Sequence, residues 1–153
     1  MKKILLLMTM VLTCVGAWAQ TTNLEVGKYY RIKGNHSTNP WLTGVVENGG
    51  IDVATSESNA GIYQWTGDNL RELITGKYLG TNNNQITLLD NNTYKTTIQV
   101  SDGNRLLIKN DGRYLYNNQS DYTREAGNLT AAGTNDPKWY FYEVTPLFTI
   151  DNK

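Results

Sequence analysis

Trp41-Leu42-Thr43-Gly44, Tyr78-Leu79-Gly80 and Tyr114-Leu115-Tyr116 are three versions of one short block. Leu42, Leu79 and Leu115 follow one another at intervals of 37 and 36 residues. The second and third blocks each follow a glycine and a base, Gly76-Lys77 and Gly112-Arg113. A period of this size marks a repeated supersecondary unit that cannot bury its apolar face alone. In a strand, successive side chains point to opposite faces. Alternation therefore turns the three leucines towards a core, and Trp41, Tyr78 and Tyr114 away from it.

Around these blocks, short runs rich in Tyr, Ile, Leu, Val, Thr and Trp alternate with clusters of Gly, Asn, Asp and Ser. Such a pattern predicts many short strands joined by tight turns. The strands sort into three units, at about 27–66, 69–101 and 104–146. Each opens with a strand, at 29–33, 70–74 and 105–109, and continues through the aromatic-Leu block. A second pair follows, at 51–54 and 62–65, at 85–89 and 96–100, and at 129–131 and 139–144. Gln64, Gln99 and Glu143 in the closing strands are 35 and 44 residues apart. The third unit therefore carries an insertion of about nine residues, in 117–128 or 133–138. Three units of four strands, closed around a pseudo-threefold axis, predict an all-β chain folded as a β-trefoil, because closure protects sheet edges.

The chain resembles the ricin-type β-trefoil lectin-like domains, in the disulfide-free form secreted by bacteria. The residues that carry the likeness are Gly27-Lys28-Tyr29-Tyr30-Arg31-Ile32-Lys33, Gly76-Lys77-Tyr78-Leu79-Gly80, Asp111-Gly112-Arg113-Tyr114-Leu115 and Trp139-Tyr140-Phe141-Tyr142-Glu143-Val144. The resemblance implies extracellular carbohydrate binding.

The first nineteen of the 153 residues read as a signal peptide. Lys2 and Lys3 form a charged start, 4–12 is almost wholly apolar, and Ala17-Trp18-Ala19 places the cut before Gln20. Cys14 offers the alternative of a lipoprotein signal. Cleavage before Gln20 predicts a secreted or periplasmic chain, one domain over 20–153 with no transmembrane segment. It also removes the only cysteine, so packing and hydrogen bonds alone must stabilise the fold. Without Lys2 and Lys3, 12 basic residues face 14 acidic ones, a formal charge of −2. That balance argues against nucleic acid as a partner.

Catalytic chemistry is poorly supplied. The single histidine, His36, sits among turn formers, and a zinc site needs three or four ligands. No Ser-His-Asp or Cys-His arrangement presents itself. The chain is therefore expected to be a binding protein rather than an enzyme, without a cofactor or metal. Its partner is expected to be a glycan; the alternatives are an extracellular protein, including a protease that the chain inhibits, and an adhesion or structural role in the cell envelope. Trp41, after Pro40, is the expected exposed indole. Tyr78 and Tyr114 either stack on a sugar or cover the sheet wall between loops. Polar candidates are Asp52, Asp90, Asn91, Asn92, Asn117, Asn118 and Asp121, with Tyr122 beside the last in the insertion. Asn and Asp clusters also make ordinary turns, so these positions carry both readings.

Overall fold

The computed structural model describes residues 19–35, 40–118, 124–127 and 135–147, the side chains of 118, 124–127 and 135–136 excepted. The first unit contains β2 (Tyr29–Gly34), β3 (Trp41–Glu47), β4 (Gly50–Ala54) and β5 (Tyr63–Trp65), preceded by a short β1 (Ala19–Thr21). The second contains β6 (Leu70–Glu72), β7 (Tyr78–Asn82), β8 (Gln85–Leu89) and β9 (Thr96–Val100). The third contains β10 (Leu106–Asn110), β11 (Arg113–Asn118), β12 (Arg124–Gly127), β13 (Asn135–Asp136) and β14 (Lys138–Val144). One 3-10 turn, Glu57–Asn59, interrupts the strands.

Turn chemistry explains the hairpins. Asn48-Gly49, Asn83-Asn84 and Asp111-Gly112 each stand between paired strand ends, with φ of 50 and 84, 48 and 63, and 50 and 72 degrees. Two consecutive residues with positive φ make the two-residue hairpin turn whose twist matches that of the strands. Asn, Asp and Gly tolerate that conformation best.

The fourteen strands of the described residues belong to one sheet. Its pairing path runs β1-β14-β10-β11-β12-β8-β7-β6-β5-β2-β3-β4, with β9 on β10, β13 on β11 and a further β14–β2 ladder. The sheet is not closed or curled into a three-lobed barrel. This corrects the β-trefoil expectation, and with it the resemblance to ricin-type lectin-like domains. The physical reason lies in what the period reports. A repeat of 36 or 37 residues fixes a recurring hairpin, whereas closure depends on the ladders between hairpins. Those ladders are unequal. β2 and β14 match over six residue pairs, β10 and β14 over two, and β2–β3, β6–β7 and β12–β8 over one each.

The main core is a cluster drawn from all three units, beside a smaller one of Tyr29, Ile62, Leu73 and Val144. The main cluster includes Tyr30, Ile32, Leu42, Tyr63, Leu79, Leu106, Leu115, Trp139 and Phe141. Leu42, Leu79 and Leu115 are all buried, as alternation in the three blocks requires. Burying each contributes roughly 1.5–3 kcal/mol. Trp139 is also buried, and its indole N–H donates to the Leu115 carbonyl at 2.9 Å. β14 thereby hangs on the third aromatic-Leu block. The expected strand at 129–131 lies outside the described residues.

Candidate functional site

The three rings beside the core leucines share a surrounding that the sequence reading did not anticipate. Lys33 stands directly across the ladder from Trp41, Arg71 from Tyr78 and Lys109 from Tyr114. Each cation lies over its partner ring, at 5.4, 5.7 and 5.3 Å from the centroid. Cross-strand opposition brings the two side chains together, and the negative face of the ring holds the cation. The repeat therefore writes a base–aromatic pair three times, with the base in the opening strand. Its sequence signal was a base eight, seven and five residues before the ring.

The rings differ in access. Trp41 is only 6% exposed and packs on Tyr142, with centroids 5.3 Å apart. This corrects the expectation of an exposed indole: Pro40 leads straight into a buried strand end rather than a projecting loop. Tyr78 and Tyr114 are half-buried. Of the three, Tyr78 lines a groove.

That groove, about 330 Å³ in volume, lies between the approach to β2, the β5–β6 turn and β7. Gln64, Trp65, Asp68, Arg71, Tyr78 and Asn92 line it. The β5–β6 turn builds its acidic side. Trp65 pairs with Leu70, and the four residues between them close tightly. The Thr66 N–H donates to the Asn69 carbonyl at 2.9 Å, and the Asn69 N–H donates to Thr66 Oγ1 at 3.0 Å. Gly67 takes φ of +102 degrees, which a side chain would resist. Asp68 Oδ1 accepts from Thr66 Oγ1 and from Asn69 Nδ2, both at 3.2 Å. Its Oδ2 lies 3.7 Å from the Lys95 ammonium, in an exposed pair. One carboxylate oxygen thus fixes the group, while the other keeps only a loose partner.

The basic side is built from β6. Arg71 Nε donates to the Gly76 carbonyl at 3.0 Å, so the guanidinium is anchored while it covers one face of Tyr78. Gln64 is held from behind. Its Nε2 donates to the Tyr29 hydroxyl at 3.2 Å and to the Gly27 carbonyl at 3.4 Å. Aromatic surface, an amide, a carboxylate and a guanidinium thus face one opening, each fixed by its own neighbours.

Among the described polar candidates, Asp52 and Asn91 do not line this groove. Asp52 is half-buried on β4; its carbonyl accepts from Thr43 Oγ1 at 2.9 Å and its Oδ1 from the Val53 N–H at 2.8 Å. Asn91 is exposed and closes a local turn, its Oδ1 accepting from the Thr93 N–H at 3.2 Å and from Thr93 Oγ1 at 2.5 Å. Its neighbour Asn92, a candidate as well, lines the groove. Asn118 pairs with Asn135 at the end of β11. Asp121 and Tyr122 lie outside the described residues. Asp68 and Arg71 were not singled out by the sequence, although the Thr66-Gly67-Asp68-Asn69 turn and the spacing of Arg71 to Tyr78 both mark them. No family model, no curated protein and no solved structure matches the chain.

Proposed function

We propose that this protein binds carbohydrate without transforming it, through the groove at Tyr78, and that it acts outside the cytoplasm after cleavage before Gln20. One observation carries the reading: a tyrosine ring, the Asp68 carboxylate, the Arg71 guanidinium and the Gln64 amide meet in one shallow opening. Sugars present apolar C–H faces and rows of hydroxyls. The first suit an aromatic ring, and the second suit a few fixed donors and acceptors. The anchoring of Arg71, Asp68 and Gln64 supports the same reading, because groups already held in place lose little freedom on binding.

A glycan array followed by isothermal titration of the hits tests it. The expected result is saturable binding that Tyr78→Ala weakens about tenfold, or ~1.4 kcal/mol, with the glycan recovered intact. Absence of binding at millimolar glycan, by protein confirmed as folded, would overturn the reading. Release of shorter products would overturn its non-catalytic part.

A further inference from the structure

We infer that the binding surface continues past Trp65 into a second groove, and that its ligand is a chain of linked neutral sugars rather than a single terminal sugar. This rests on the carbohydrate reading above. The second groove is of similar size, about 360 Å³, and Trp65 lines both. The β5–β6 turn also serves both: Thr66 and Asp68 line the first groove and Gly67 the second. At Gly67 no side chain stands on the boundary, and a Cβ there would come within 3.4 Å of Val26 Cγ2.

The two grooves differ in chemistry in a way that suits a polymer. The first holds Asp68 and Arg71, a charged pair of walls that would fix one sugar in orientation. Among the described residues, the second has no ionisable side chain in its lining. Thr22, Asn23 and Thr97 supply hydroxyls and an amide, and Leu24 and Ile98 supply apolar surface. Hydroxyls and amides exchange hydrogen bonds with sugar hydroxyls in either direction, and the aliphatic surface matches C–H faces.

The grooves are also tied together. The Thr96 N–H donates to the Asp68 carbonyl at 2.8 Å, linking β9 of the second groove to the turn that forms the first. Thr96 Oγ1 is held in turn by Asn110 Nδ2 at 3.0 Å. A ligand spanning both grooves therefore meets a surface whose halves are joined before it arrives.

Isothermal titration with linear gluco-, manno- and xylo-oligosaccharides, from disaccharide to hexasaccharide, tests the inference. For at least one series, wild-type affinity is expected to rise about tenfold or more with chain length. Thr97→Tyr and Thr97→Lys place two different obstructions at an exposed strand position of the second groove. Both are expected to abolish the gain with length, in protein confirmed as folded by circular dichroism. A disaccharide bound as tightly as the hexasaccharide, or a length gain surviving both obstructions, would overturn the extended site alone. Failure of folded wild-type protein to bind any member of the three series would overturn the extended site, whereas array binding of other glycans would leave the carbohydrate reading standing.

Discussion

Thr43 shows how a local irregularity in one strand recruits its neighbours. The ladder between β3 and β4 loses register between Leu42 and Val46, and Thr43 lies in that irregular stretch. A buried carbonyl without a partner is costly. Tyr63 answers it: its hydroxyl is fully buried and donates to the Thr43 oxygen at 2.5 Å. Burial pushes the Tyr63 phenol well above its ordinary value of 10.0, and the Glu72 carboxylate opposite raises it further. Tyr30 is raised in the same direction, again chiefly by burial. Both groups must stay neutral in the folded chain. A phenol raised by folding contributes stability that is fully present below pH 10 and is lost as pH climbs towards its folded value. Stability is therefore expected to hold through neutral pH and to fall above about pH 10, as followed by urea titration at stepped pH. Tyr63→Phe should cost about 1–2 kcal/mol at pH 7, because the buried Thr43 carbonyl loses the phenol's hydrogen bond, and should make the alkaline fall shallower. An unchanged alkaline limb in that variant would place the pH dependence elsewhere.

At the scale of elements, two glycines separate turn conformation from close packing. Gly112 sits in the β10–β11 hairpin turn at φ +72 degrees, and a Cβ there would meet nothing within 4 Å. Only backbone conformation resists a side chain, so Gly112→Ala should cost about 1–2 kcal/mol. Gly61 precedes β5 with no such φ, yet a Cβ there would fall 2.8 Å from the Thr43 carbonyl carbon and 2.9 Å from the Gly44 nitrogen. Those atoms belong to the irregular stretch of β3 and cannot rotate away as a side chain could. Gly61→Ala should therefore cost more than Gly112→Ala, about 3 kcal/mol or above, measured by chemical denaturation of both variants. Equal losses would mean that β3 yields easily. The sequence made one of these glycines legible and hid the other. Asp111-Gly112 announces a hairpin through its composition, whereas the role of Gly61 comes from a strand nearly twenty residues away. The same division holds at the groove. Tyr78 was legible from the repeat, but Asp68 and Arg71 acquire their meaning only when β6 lies across from β7.

For the whole molecule, alternation in the three blocks made the buried leucines readable, and turn chemistry made most of the hairpins readable. The arrangement of the units was not readable, because it depends on ladders such as β2–β14 that join distant parts of the chain. That ladder pairs Tyr29 with Val144 and Gly34 with Trp139, and β1 adds a third strand on the far side of β14. Lys28 and Glu143 close the same seam with a pair at 2.8 Å, but an exposed pair of this kind adds little. The strength of the seam lies in Trp139 and Phe141, both fully buried in the common core. Contacts this distant in sequence must wait for most of the chain to be ordered, which predicts folding in milliseconds to seconds rather than microseconds. It also predicts an asymmetry between the ends. In the chain that starts at Gln20, deleting Gln20 and Thr21 removes the two remaining pairs of the β1–β14 ladder and should leave a cooperative fold, weaker by about 1–2 kcal/mol. Deleting residues 138–153 takes two of the largest core side chains and the strand that joins the first unit to the third. At about 3–5 kcal/mol for each large aromatic, that loss matches or exceeds the whole stability of an ordinary domain. The C-terminal truncation is therefore expected to show no cooperative thermal transition by circular dichroism and no dispersed amide spectrum. A cooperative transition retained without β14 would show that the first two units form a core of their own.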